Sequence, residues 1–467
     1  MSVESNSTNE VFSESLNYEN IKKRAISSRS YRTKIAASNG SVFLPGQTIN
    51  INLPGNQPSV YYNTNQMYLK VKLTALDPVC HLDRNGIYNF IKRLTIQCAS
   101  TTLCDINYYN VLTCAMLDMQ SSPQWKAGAG ASMLGTRGDS LSGVEIGTST
   151  VATRVFTIPI VLNCLSSTTP HRLIPAASLA DIQLRFQLAS AAESYTSNGD
   201  LGYEISEVEL VAQMTQLSPQ AQAIIDQSTG GEFNILTINY QHTSATQQAG
   251  QSSVVANLGF SMSSLERILI CHRKTDVANG TKNKYLNSRI SNVLESYSLL
   301  INSEQYPARE IIVNGEAEVT AENLISDHSL TDFTRGSCMN EGFIAVGTLG
   351  VGTGPLSGNA PNLSKKDSFM LSNTGCTSLT AGSASAAGTA AVTSDIGTFL
   401  CSVELESGLS DGRSSHIYSG ISTISSTVQY KAAYGVGTQA CQLDFFAFFT
   451  VLISLNTRGV GTWQLRV

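Results

Sequence analysis

The chain has 467 residues, of which 42% are hydrophobic and only 14% charged, and its formal net charge is -5. At roughly 100–200 residues per domain this is two or three domains, or two large β domains, and the negative balance excludes general electrostatic binding of nucleic acid by the body of the chain. Soluble proteins carry about 25% charged residues, so a surface this poor in charge is either covered by other subunits in the working state or belongs to a secreted β-protein with a Ser/Thr/Asn exterior.

The start, Met-Ser-Val-Glu-Ser-Asn, has no apolar core, so a secretory signal is not expected. From Asn20 to Ile35 the charged residues are all positive: Lys22, Lys23, Arg24, Arg29, Arg32 and Lys34. Residues 1–34 read as a flexible basic arm on an acidic body, which either touches phosphate or anionic lipid headgroups or stands as a solvated tail. Strand signals follow. Met67 to Leu73 alternates apolar and polar residues, the period of a half-buried strand. Phe90 to Cys98 is another, Val155 to Ile160 carries a proline that fits an edge or bulge, and Ile182 to Leu188 alternates cleanly. Tyr203 to Val211 closes the first set. A helix is expected over Ile106–Leu117 with Asp105 as its N-cap. A second helix is expected through Gln220 to Asp226, with Ser218 as N-cap, Pro219 at the first position and Gly230-Gly231 as the stop.

A second set of strands opens after this break, with Asn234–Tyr240, Ser264–His272 and Gln442–Leu455 the clearest. The longest apolar stretch, Phe445 to Ile453, is too short for a bilayer helix of about 20 residues and reads as a buried strand. Residues 347–362 are Gly-rich and 373–398 are mostly Thr, Ala, Gly and Ser, compositions that build no core and lie at surfaces. Many strands with turn-rich connections imply an all-β chain. The domain reading is residues 1–34 as arm, 35–216 and 233–467 as two β domains the size of eight-stranded jelly rolls, and 217–232 as a helical linker.

Motifs for chemistry are missing. The ten cysteines include no CxxC, and several sit in apolar runs such as Ile268-Leu269-Ile270-Cys271; they read as reduced, buried side chains. The six histidines form no HxH or HExxH pair, so no metal site is expected. Gly350-Val351-Gly352-Thr353-Gly354 lacks the Lys-Ser/Thr ending and following helix of a phosphate loop. Asp327-His328-Ser329 holds triad residue types, but adjacent side chains do not converge as a triad does. No cofactor and no enzymatic activity are expected. The sequons at Asn6, Asn39, Asn279 and Asn362 carry little weight without a route to a glycosylating compartment.

Four stretches, in order, resemble the double-jelly-roll major capsid proteins of double-stranded DNA viruses, the lineage of adenovirus hexon, virophages and polinton-like viruses. Ile91-Lys92-Arg93-Leu94-Thr95-Ile96 leads to Asp105-Ile106-Asn107-Tyr108-Tyr109-Asn110-Val111-Leu112, similar to a strand and a Tyr-Asn helix of the first roll. Arg154-Val155-Phe156-Thr157-Ile158-Pro159 runs to His171-Arg172-Leu173-Ile174-Pro175. Tyr203 to Leu210 resembles the strand before the linker, and Ser263-Ser264-Leu265 the entry to a second-domain strand. The resemblance spans roughly residues 30–300. It implies two tandem eight-stranded jelly-roll β-sandwiches with few short helices and long loops. It also implies a homotrimer forming a pseudo-hexameric capsomer of an icosahedral shell. Neighbouring capsomers and penton and minor capsid proteins would be partners, and the virion capsid the location, with assembly inside the host cell. The arm would face an inner membrane, genomic DNA or a minor capsid protein. A jelly roll that binds a receptor or glycan is the alternative, although the two tryptophans, Trp125 and Trp463, lie far apart in the chain.

Overall fold

The computed structural model describes residues 28–313, with interruptions at 78–79, 100, 122, 138–144, 147–151, 167–172, 177–180, 198–200, 231 and 276–285, and beyond them residues 318, 378–381, 392–395, 399–405, 420–456 and 463–466. Eight principal strands build the first half: β1 (Ser28–Ala36), β2 (Thr48–Leu53), β3 (Val60–Ala75), β4 (Ile91–Cys98), β5 (Thr101–Asn107), β6 (Ala152–Pro159), β7 (Ile182–Leu188) and β8 (Tyr203–Leu217). Eight more build the second: β9 (Glu232–Gln247), β10 (Ser253–Asn257), β11 (Leu265–Lys274), β12 (Leu294–Ile301), β13 (Glu304–Ile312), β14 (Cys401–Glu404), β15 (Val428–Tyr434) and β16 (Cys441–Asn456).

The pairing order defines the architecture. The first half has sheets β1-β8-β3-β6 and β2-β7-β4-β5, and the second has β9-β16-β11-β14 and β10-β15-β12-β13, all antiparallel. Adding eight to each first-half label gives the second-half order. Each half is therefore a complete two-sheet jelly roll of eight strands.

Alternation places the core. In β7, Ile182, Leu184, Phe186 and Leu188 are buried while Gln183, Arg185 and Gln187 are partly exposed. Its register sets Leu184 between Ile51 and Ile96, so three apolar side chains meet on one sheet face. At roughly 25 cal/mol per Å² of apolar surface, each such side chain contributes about 1.5–3 kcal/mol. The run Phe445–Phe449 in β16 lacks alternation because both faces are covered. Phe445 packs on Tyr430 inside the second roll, while Phe446 lies against His242 on the opposite face. Among the described residues β6 pairs with β3 alone in its sheet, so Pro159 at its end removes no ladder bond on a second side.

Among the described residues two helices exceed ten residues: α1 (Tyr109–Gln120) and α2 (Pro219–Thr229). The linker helix α2 starts as its sequence dictates, with the Ser218 hydroxyl accepting from the Ala221 amide at 3.3 Å, and Gly230 closes it at φ 64°. The first helix departs from expectation. Residues 105–107 belong to β5, where Ile106 pairs with Leu94 and both are fully buried, and Asp105 caps nothing. Strand pairing overrides the cap signal there, and the chain turns into α1 through Tyr108 at φ 51°. The arm boundary also moves. Residues 28–34 lie in β1, paired with β8 from Ser28↔Leu217 onward, because Tyr31, Thr33 and Ile35 turn inward at period two. The Gly350–Gly354 loop, Asp327-His328-Ser329, residues 347–362 and Lys22, Lys23 and Arg24 lie outside the described residues.

Candidate functional site

Three of the six cations singled out in the sequence stand on β1. Arg32 donates to Gln213 Oε1 at 3.1 Å, Lys34 pairs with Glu209 at 3.2 Å, and Arg29 lies 5.8 Å from the Tyr31 ring. These contacts tie Arg32 and Lys34 to the outer face of the β1-β8-β3-β6 sheet. Lys70–Glu209 at 3.7 Å and Lys72–Glu207 at 2.7 Å extend the same face, which stays half exposed.

Among the described residues the densest set of charged side chains lies elsewhere, at the seam between the rolls, and nothing in the basic cluster pointed to it. Helix α1 carries Asp118 into the seam. From the first roll Lys126 Nζ reaches Asp118 Oδ1 at 2.8 Å and Arg84 reaches Oδ2 at 3.4 Å; from the second roll Arg289 donates to the same Oδ2. All four side chains are at most 5% exposed. Burial alone raises a carboxyl pKa, but the three cations overcome it and hold Asp118 well below the usual carboxylate range. Beside this hub the Asp83 carboxylate accepts from the backbone and side-chain amides of Asn287, at 3.0 and 2.9 Å, across the seam. Here burial outweighs the donors and Arg84, and the Asp83 pKa is raised.

A second cluster faces Tyr108. Asp444 accepts from Arg273 Nε at 2.7 Å and Gln442 at 2.7 Å, and lies 3.0 Å from His242 Nε2. Burial opposes its ionisation, and Arg273 and His242 prevail, so it too is held low. The Arg273 guanidinium sits 5.2 Å from the Tyr108 ring of the first roll, and His242 packs 4.9 Å from the same ring. Asn239 donates to the Leu103 carbonyl at 2.9 Å, and the Thr237 hydroxyl to the Cys164 carbonyl. One sequence signal marked these positions: Asp444 precedes the Phe445 run, and His272-Arg273 follow Ile268 to Cys271. A charge abutting an apolar run requires a buried partner.

Above Tyr108 an open groove of about 340 Å³ has walls from both rolls, including Lys92, Arg93, His242, Thr243 and Ser244. Its cations are already engaged, Lys92 with Glu193 at 2.7 Å and Arg93 with Asp105. The eight described cysteines are all buried and free, and burial pushes the Cys114 and Cys271 thiols up to about 12. The joint thus holds its carboxylates Asp118 and Asp444 ionised and these two thiols protonated at neutral pH, the electrostatics of a fixed contact. Among the described residues no group of three or more His, Cys, Asp or Glu is placed to hold a metal ion, and no helix is long and apolar enough to cross a membrane.

No protein-family model and no curated protein matches the sequence. Solved structures do match in fold. A chain of the PBCV-1 virus capsid aligns with a TM-score of 0.58 at 7% identity, over 95% of this chain and 98% of that one. The Faustovirus major capsid protein aligns at 0.55 and 8% identity, over 92% and 91% of the two chains. A chain of the Sputnik virophage structure gives 0.54 and 11%, over 98% and 92%. The fold is the double jelly roll of these capsid structures.

Proposed function

We propose that the chain is a major capsid protein, a non-enzymatic subunit that trimerises into a pseudo-hexameric capsomer of an icosahedral virion. The observation that carries this reading is the asymmetric use of two equivalent rolls. The second roll covers one face of its β9-β16-β11 sheet with the first roll's β5 and α1 side, through His242, Phe446 and Arg273. The equivalent β1-β8-β3 face of the first roll is open to solvent, with Lys70 and Lys72 about one-third exposed. A face-to-side contact of this kind is heterologous, and it closes into a ring when the rotation allows. Three chains supply six rolls, so the open face of each first roll would meet the side of a neighbouring copy's second roll. The alignment of more than nine-tenths of both chains with capsid-type folds supports the same reading.

Light scattering on the purified chain tests it. The expected mass is close to three times the 50.0 kDa chain mass. Reversing two charges on the open face, Lys70→Glu with Lys72→Glu, is expected to give folded 50.0 kDa monomers. A wild-type chain that stays monomeric at high concentration would overturn the capsomer reading and favour the receptor- or glycan-binding alternative.

The inner face of the capsomer is assigned to the N-terminal arm. With Arg32 and Lys34 engaged within the sheet, the cations proposed for contact with phosphate, anionic lipid or a minor capsid protein are Lys22, Lys23, Arg24 and Arg29. Deleting residues 1–27 spares β1, so it is expected to leave trimers intact while weakening that contact.

A further inference from the structure

We infer that the Asp118–Arg289 ion pair is an orientation lock that fixes the angle at which the two rolls stand. The inference deepens the capsomer reading, and only its consequence for assembly rests on that reading. Apolar residues of both rolls join one continuous core, so attraction between the rolls is assured. Apolar attraction is non-directional, however, and tolerates many relative angles. A guanidinium fork on a buried carboxylate has fixed geometry and a steep penalty for separation.

The placement is specific. Asp118 takes two cations from its own roll, Arg84 and Lys126, so it is already compensated before the rolls meet. Arg289 is the cation that the second roll adds. Its Nε donates to the Phe399 carbonyl at 3.1 Å, which aims the guanidinium toward the first roll. The neighbouring residue Asn287 is pinned from the first roll at both ends of its peptide. Asp83 Oδ2 accepts from its amide, and the Arg84 guanidinium donates to its carbonyl. Arg84 therefore holds Asp118 and the Asn287 backbone together, and a tilt of either roll breaks several buried polar contacts at once. A tilt that leaves the seam closed would strand Arg289 as a buried charge without its carboxylate. The lock has three arms on one carboxylate, and only that of Arg289 crosses between rolls. That difference makes it testable.

Arg289→Met removes the crossing arm, and Lys126→Met removes an arm within the first roll. In the full-length protein, wild type is expected to unfold in one calorimetric transition. Arg289→Met is expected to split it into two and to raise proteolytic cleavage within residues 217–232 by about tenfold or more. Lys126→Met is expected to lower the transition temperature while keeping one transition and the wild-type cleavage rate. Should Arg289→Met fail to accumulate, Arg289→Gln keeps a donor but no charge, and its linker is expected to be cut faster than wild type. Linker cleavage at the wild-type rate in either Arg289 variant overturns the lock, and so does equal loosening by Lys126→Met. Light scattering on the same samples separates the two proposals. A monomeric wild type defeats the capsomer reading and leaves the lock result standing, whereas trimers in wild type and their loss in Arg289→Met tie the angle to assembly.

Discussion

Strands β3 and β11 occupy the same place in their rolls, yet their sequences follow different rules. In β3, Leu69, Val71 and Leu73 are buried while Lys70, Lys72 and Thr74 stay partly exposed, so one face meets the core and the other meets water. In β11 every residue from Leu265 to Arg273 is buried, charges included. Topology is equal and environment is not, because the second roll lays this sheet against its partner and the first roll does not. The lesson is that patterning reports the neighbours of a strand more directly than its place in the fold. The connections between the fifth and sixth strands repeat the contrast. Residues 108–151 of the first roll include α1 and deliver Asp118 to the seam, while residues 313–400 of the second form a connection about twice as long, rich in Gly, Ser, Thr and Ala.

The contrast predicts a large asymmetry in mutational cost. Phe448 lies on the covered face, fully buried against Tyr240 at 5.0 Å with the Arg267 guanidinium 5.0 Å from its ring. Phe448→Ala is expected to cost about 3–5 kcal/mol in denaturant unfolding. On the open face, Lys72→Ala removes only an exposed pair with Glu207 and is expected to leave the denaturation midpoint almost unchanged. Similar losses at the two positions would mean that the first-roll face is covered within the isolated chain.

A pH effect should separate the rolls next. His272 on β11 is fully buried and 3.0 Å from the Tyr434 hydroxyl, and burial lowers its pKa from 6.5 to about 4. Asp444 works weakly against that shift. The unfolded chain takes a proton near 6.5 and the folded chain does not until near 4, so stability falls as pH drops through this window. The loss is about 3 kcal/mol, and His272→Gln should flatten the denaturation midpoint between pH 6.5 and 4.5. The depressed carboxyls Asp118 and Asp444 act in the same direction but at lower pH. Their stabilisation is complete above the ordinary carboxylate pKa of about 3.9 and fades only as pH falls toward their lower folded values. A midpoint in the His272→Gln variant that still drops between pH 6.5 and 4.5 would assign the acid sensitivity to another group.

Much of the scaffold was readable from residues alone. The alternation of Ile182 to Leu188 and the unbroken Phe445–Phe449 run each name a strand and its burial, and Ser218-Pro219 with Gly230 brackets a helix by local chemistry. Local signals failed where distant partners decide. Asp105 resembles a helix cap, but its strand pairs with β4, and Arg93 and Thr95 claim its carboxylate. Apart from the charges that abut apolar runs at Asp444 and Arg273, the partners across the seam were not readable for the same reason. Asp118 and Arg289 are 171 positions apart, and so are Asp444 and Arg273. Charged residues at that separation look like surface until the fold brings them together. The basic cluster erred in the other direction: its spacing suggested a single arm, while Tyr31, Thr33 and Ile35 among the cations already carried the period of a strand.

The smallest effect is expected in the long second-roll connection, and it sharpens the contrast from the other side. If chain length there matters only through closure entropy, each doubling of a loop costs about 0.6 kcal/mol. Replacing residues 347–362 with a four-residue Gly-Ser link should therefore shift the denaturation midpoint by an amount equivalent to less than about 1 kcal/mol. The mass by light scattering should not change either, because the cross-roll contacts of α1 and of residues 83–89 come from the first roll. A loss of several kcal/mol would show that this segment, despite its small side chains, packs against the rolls as α1 does. The two connections would then be equivalent in role as well as in topology.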